Sequence, residues 1–266
     1  MPDGSTIREN FAPHLPHLRR YARALTGSQR SGDAYVRQAL ESLLTAASAG
    51  VPDAELAPEP SPGVVSQPKA RLSLYRLFSA VAQDAVVVGP GQLPINSMQA
   101  LLLTEVEGFN AGEVAWILGM EPHEIAARVA SAKSMIFETM RSRVLIIEDE
   151  PMIAMHLEQI VEEMGHEVSA MAMTHREALA RAHEVSPELV LADIQLADGS
   201  SGLDAVHDIL ESFDVPVVFI TAFPERLLTG ERPEPTFLVT KPFKVETVVA
   251  TVGQALLTRS FKMVNQ

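Results

Sequence analysis

Four β-prone apolar residues, Val144-Leu145-Ile146-Ile147, run directly into Glu148-Asp149-Glu150-Pro151. The run is too short for a buried helix and reads as a buried strand whose C-terminal end carries three carboxylates. In an open α/β sheet, ligands bind outside the C-terminal ends of the strands, so acids placed there mark a site. The residues that follow repeat the alternation: a helix on Ile153, Leu157, Ile160, Val161 and Met164 stopped by Gly165, strand 167–172, helix 175–185, strand 189–193, helix 203–213, strand 217–221, strand 237–240 and helix 244–258. This pattern predicts a five-stranded parallel sheet in flavodoxin-like order with helices on both faces. Residues 224–236 hold Pro224, Gly230, Pro233 and Pro235, so any helix between the last two strands should be short or disordered.

The strand ends collect a specific set of side chains. Glu148 and Asp149 follow the first strand, Asp193 the third, Thr221 the fourth and Lys241-Pro242 the fifth. Carboxylates held a few ångström apart repel one another unless a cation intervenes. With oxygen ligands only, Mg²⁺ is the natural occupant, and it would keep waters and a position for a phosphoryl oxygen.

The preceding residues read as helical throughout. Phe11, Leu15, Leu18, Tyr21, Ala22 and Leu25 recur at helical spacing up to Gly27, and Tyr35, Val36, Ala39, Leu40, Leu43 and Leu44 form one face of a second helix. A proline-rich loop at 50–68 leads to a third helix from Arg71 to about Ala85, and a Gly/Pro linker spans 86–96. Ser97 can cap a helix running to Glu107. Asn110 and Glu113 form a capping-box pattern, Gly119 permits a sharp turn, and Pro122 opens a helix carrying Ile125, Val129, Ala132, Ile136 and Met140. The result is the punctuation of a helix-turn-helix over 110–140. A recognition helix needs cations and polar side chains, and the face made by His123, Glu124, Ala127, Arg128, Ser131 and Ser134 adds little beyond Arg128 and Lys133.

Charge separates the two parts. Residues 1–143 hold 13 Lys+Arg against 14 Asp+Glu, whereas residues 144–266 hold 8 against 20. Neither has the basic excess of a nucleic-acid binder. The absence of cysteine removes disulfides and thiolate metal sites and fits a reducing compartment. Without a leader-like N-terminus or a membrane-length apolar run, the expectation is a cytoplasmic protein with no membrane contact.

Two resemblances rest on these residues. The order Asp33-Ala34-Tyr35-Val36-Arg37-Gln38-Ala39, the Leu-Tyr-Arg-Leu-Phe helix at 74–78, then Leu93-Pro94, Leu101-Leu102-Leu103, Glu107-Gly108-Phe109-Asn110, Glu113-Val114-Ala115 and Leu118-Gly119 resembles regions 2 and 4 of extracytoplasmic-function sigma factors. The strand-end set resembles the receiver domain of two-component response regulators. That resemblance implies that Asp193 accepts a phosphoryl group from a phosphohistidine donor on a sensor kinase or phosphotransferase. It also implies Mg²⁺ held by Glu148, Asp149, Asp193 and the backbone carbonyl of Gln195, with Lys241 pairing with the acyl phosphate and Thr221 as the switch hydroxyl. Glu148 stands where Asp is more usual, and Leu238 where receivers carry an aromatic, with Phe237 adjacent.

A receiver placed after a sigma-like part resembles the PhyR family of anti-anti-sigma response regulators. The implied layout is multi-domain: a sigma region-2-like helical domain at 1–88, a region-4-like helix-turn-helix domain at 89–142 and an α/β receiver at 143–266. The implied function is partner switching. Phosphorylation loosens docking of the receiver on the sigma-like part, which then sequesters a NepR-like anti-sigma factor and releases a sigma factor for the general stress response, without direct DNA binding. Two other classes remain open. One is a DNA-binding response regulator acting through 110–140. The other is a phosphoaspartate hydrolase, although Asp193-Ile194-Gln195-Leu196 lacks a second acid two residues on, so the expectation is that the chain is not an enzyme.

Overall fold

The structure, a computed structural model, describes residues 11–49, 66–84, 95–137, 141–196, 198–224, 227 and 235–264. The chain divides into two compact units, Met1–Lys133 and Ser134–Gln266. Most of the proline-rich loop, the linker and the segment between the last two strands lie outside the described residues.

The first unit is helical: α1 Leu15–Thr26, α2 Gln29–Ser48, α3 Lys69–Val81, α4 Ile95–Leu101, α5 Ala111–Leu118 and α6 Pro122–Phe137, whose last turn groups with the second unit. The spacing in α1 buries Leu18, Tyr21, Ala22 and Leu25 against α2. Between them the fully buried Arg23 makes a two-pronged contact with Asp33, at 2.9 and 3.0 Å. The capping box forms as expected: Asn110 accepts from the Glu113 amide at 3.0 Å and Glu113 from the Asn110 amide at 2.9 Å. Gly119 ends α5 at φ 66°, a left-handed position that glycine takes at no steric cost, and α6 starts at Pro122.

One expectation is corrected. Ser97 does not cap its helix, because α4 begins at Ile95 and buries Ser97 inside it. Instead of continuing as α-helix to Glu107, residues Leu102–Val106 widen into a π-turn closed by Glu107 N–H to Leu102 O at 3.0 Å. Such turns rotate the next side chains out of α register. Here the residue that follows, Glu107, ends fully buried.

The second unit is the expected α/β sheet: β1 Arg143–Ile147, α7 Pro151–Glu163, β2 Glu167–Ala172, α8 His175–Val185, β3 Leu189–Ala192, α9 Gly202–Ser212, β4 Val217–Thr221, β5 Phe237–Thr240 and α10 Val245–Val264. The strands are parallel in the order β2-β1-β3-β4-β5. Alternation along each strand sends Leu145, Ile147, Val190 and Ala192 into a core with Ala178, Ala182, Ala205 and Ile209 from α8 and α9. Val144, Ile146, Leu189 and Leu191 are buried on the other face, where α7 packs with α10. The strand order reverses between β1 and β3, which opens a crevice at their C-terminal ends.

Candidate phosphoacceptor and metal site

The crevice holds what the sequence placed at the strand ends. The ladder continues one residue past each strand, through Glu148 N–H to Ala172 O and Asp193 N–H to Ile147 O, both at 2.9 Å, so backbone hydrogen bonds fix both acids. Glu148, Asp149 and Asp193 offer carboxylate oxygens that all lie within 4.8 Å of one another. Lys241, just past β5, reaches into the group. Its Nζ donates to Asp193 Oδ2 at 2.7 Å and to Glu148 Oε1 at 3.0 Å, lies 2.8 Å from Glu148 Oε2, and is 3.5 Å from Glu150.

The two oxygens of Asp193 are differently held. Oδ1 accepts from the amides of Ile194 at 2.6 Å and Gln195 at 3.3 Å, which orients the carboxylate, while Oδ2 faces the lysine. Burial pushes the Glu148 carboxyl up, with Asp193 adding to the rise against the pull of Lys241. Burial lowers the Lys241 ammonium, but hydrogen bonds to Asp193 and Glu148 outweigh this and raise it. The lysine is therefore a permanent cation here, and Glu148 is an acid short of positive charge. Its Oε2 is buried without hydrogen-bond geometry to any donor. Three carboxylates gathered around a single lysine supply the hard oxygen donors that fit an additional small divalent cation.

Thr221 is fully buried at the end of β4; its Oγ1 accepts from the Phe223 amide at 3.2 Å and its carbonyl from the Lys241 amide at 2.8 Å. Leu238 lies in the core opposite Phe219, and Phe237 is buried on the other face. No aromatic of β5 is poised at the surface. Gln195 forms an antiparallel bridge with Ser201, so the loop after Asp193 doubles back on itself before α9.

Sequence reasoning missed Gly202. A Cβ there would lie 1.8 Å from the Asp193 carbonyl oxygen, so only glycine lets the start of α9 rest against the backbone of Asp193. The available signal was a glycine opening a helix nine residues after the acid.

Comparison with known proteins agrees across both units. The Sigma2 domain of PhyR matches residues 11–56, the sigma-like domain of response regulator PhyR residues 92–138, and the response regulator receiver domain residues 144–253. Over 258 residues the chain is 45% identical to the phyllosphere-induced regulator PhyR of Methylorubrum extorquens, covering 91% of each. The chain belongs to the PhyR family. Among solved PhyR structures, the response regulator from Brucella abortus matches with a TM-score of 0.84 at 50% identity, covering 97% of both chains. The PhyR anti-anti-sigma factor of Bartonella quintana matches with a TM-score of 0.82 at 44% identity, covering 97% of this chain and 99% of that one.

Proposed function

We propose that the chain is a phosphorylation-controlled anti-anti-sigma regulator, built as a sigma region-2-like module at 1–88, a region-4-like module at 89–142 and a receiver at 143–266. The observation that carries this reading is the convergence of Asp193, Glu148, Asp149 and Lys241 in the receiver of a PhyR-family chain. The Bartonella quintana relative is an anti-anti-sigma factor that has been crystallised in complex with the anti-sigma factor NepR. A related PhyR is described as a stress response regulator.

Asp193 is the phosphoacceptor. Its Oδ2 attacks the phosphorus of a phosphohistidine on a kinase or phosphotransferase, and the phosphorus–nitrogen bond breaks as the phosphorus–oxygen bond forms. Glu148, Asp149, Asp193 and the Gln195 carbonyl would hold Mg²⁺, which would supply charge neutralisation for the transferring oxygens. Lys241 exchanges its contact with the free carboxylate for one with the acyl phosphate. Thr221 turns its hydroxyl toward the phosphoryl group, and with Leu238 in the core the switch runs without rotation of an aromatic at that position. The donor is a protein, for which exposed Met152, Met155, Met173, Leu203, Phe223 and Val245, in the segments that follow the strands, supply apolar contact area.

The phosphorylated chain captures a NepR-like anti-sigma factor through its sigma-like part and frees a sigma factor. Promoter reading is disfavoured, because Lys133 is held by Glu105 at 2.8 Å and Arg128 is half-buried. Among the described residues no helix is long and apolar enough to cross a membrane, and the regulator acts in the cytoplasm. A pull-down with and without acetyl phosphate and Mg²⁺ tests the reading. Retention of a small anti-sigma protein only after phosphorylation supports it, and retention of duplex promoter DNA instead overturns it.

A further inference from the structure

We infer that Ser200, His175 and Asp208 form a strap of positioning residues that holds the loop after Asp193 in the curvature the metal site needs. The inference rests on the reading of Asp193, Glu148, Asp149 and the Gln195 carbonyl as that site. None of the three strap residues touches the acids, and none belongs to the strand-end set.

Among the described residues the loop is tied by its own turn contacts and by the Gln195–Ser201 bridge. Between Asp193 and α9 it turns through Leu196 and Gly199, with Gly199 N–H donating to Leu196 O at 3.0 Å and Leu196 N–H to Ser200 O at 3.3 Å. The Ser200 hydroxyl is the joint of this turn. It donates to Asp198 Oδ1 within the loop and accepts from the His175 amide, at 3.2 Å, at the start of α8. The His175 ring then closes on α9, with Nε2 2.7 Å from Asp208 Oδ2. From α9 the path returns to the site, because Gly202 N–H donates to Ile194 O at 3.1 Å beside the Asp193 carbonyl.

The contacts thus make a closed circuit: loop, Ser200, His175, Asp208, α9, Gly202 and back to Asp193. Gln195 sits inside that circuit. A carbonyl ligand has no rotatable side chain, so its direction is set entirely by the backbone that carries it. Releasing Ser200 or parting His175 from Asp208 leaves the acids in place but lets the Gln195 carbonyl wander. Partners one shell removed from a metal typically change its affinity by about tenfold or more when lost.

The test uses the full chain without phosphodonor. Mg²⁺ affinity is measured by calorimetry, hydrogen exchange of the 195–201 amides is followed in metal-free protein, and urea unfolding is recorded alongside. Ser200→Ala is expected to weaken Mg²⁺ binding by roughly five- to tenfold and to speed loop exchange, with Ser200→Thr restoring both. His175→Ala and Asp208→Ala should each weaken binding, and the double variant no more than either alone, because they remove the same contact. Wild-type Mg²⁺ affinity in Ser200→Ala, with only a lower unfolding midpoint, overturns the inference. If the wild-type chain itself binds no Mg²⁺ at Asp193, the functional reading fails first and the strap falls with it.

Discussion

The helical unit buries Glu107 and the receiver buries Glu148, and the two carboxyls are shifted in opposite directions. Glu107, in the helical unit, accepts from Arg20 at 2.8 Å, Arg71 at 2.9 Å and the Tyr75 hydroxyl at 2.6 Å, with its side chain 0% exposed. Burial pushes its carboxyl up, but the two arginines and the tyrosine outweigh that and hold it below the ordinary value. Glu148, in the receiver, is equally hidden, at 1% exposure, yet has only one lysine, shared with Asp193, and the Glu150 amide at 3.3 Å as donors, and burial raises it. A saturated carboxylate is a structural joint, here tying α1 and α3 to the π-turn. An undersaturated one beside two other acids is a place where charge is still wanted. Burial alone does not separate the two; the count of donors does.

The sharpest break in that comparison is chemical. Asp193→Ala should abolish phosphoprotein formation with acetyl phosphate, read by intact mass, while Glu107→Gln leaves it intact. Stability should run the other way. Glu107→Gln leaves the buried Arg20 without its carboxylate and loosens the partly buried Arg71, and is expected to cost about 3–5 kcal/mol, read as urea unfolding at Trp116, the single tryptophan and a reporter of the helical unit. Glu148→Gln in metal-free protein should be near neutral or stabilising, because it removes a buried charge that lacks a full complement of donors.

Gly202→Ala comes next. Its Cβ cannot coexist with the Asp193 carbonyl, so the phosphorylation rate should fall by on the order of a hundredfold through displacement of the acceptor.

The smallest effects are in pH. Glu107, depressed in the fold, contributes stability that is present above its unfolded value of 4.5 and lost as pH falls through its lower folded value. The unfolding midpoint at Trp116 should drop in that acidic window for wild type and change less for Glu107→Gln. His166 is buried with both ring nitrogens unpartnered, and burial lowers it below 6.5. The receiver therefore favours the neutral ring and should lose stability as pH falls below 6.5, seen as faster hydrogen exchange in β2 and flattened by His166→Leu.

The sequence made the receiver legible because its apolar runs are short, buried and punctuated, and because chemistry sits where the strands stop. Asp193, Glu148 and Lys241 could be read as partners since parallel strands bring all their C-terminal ends to one edge. The supports were not legible. Glu113 showed its local capping role, yet its Oε1 also takes Ser66 N–H at 2.7 Å and Gln67 N–H at 2.9 Å, contacts that no spacing announces. Ser97 looked like a cap because serine before an apolar run usually is one, and the π-turn that follows left no mark in the pattern. Long-range polar pairs such as Arg20 with Glu107 and His175 with Asp208 depend on packing geometry, which hydrophobic periodicity does not encode.

The central claim is that phosphate on Asp193 decides whether the sigma-like part can hold an anti-sigma factor. The direct measurement is the calorimetric affinity of the full chain for that factor, before and after acetyl phosphate with Mg²⁺, in wild type and Asp193→Ala. The account predicts tight binding only for treated wild type, with Asp193→Ala unresponsive. Binding by untreated wild type and Asp193→Ala as tight as by the phosphorylated chain would contradict it.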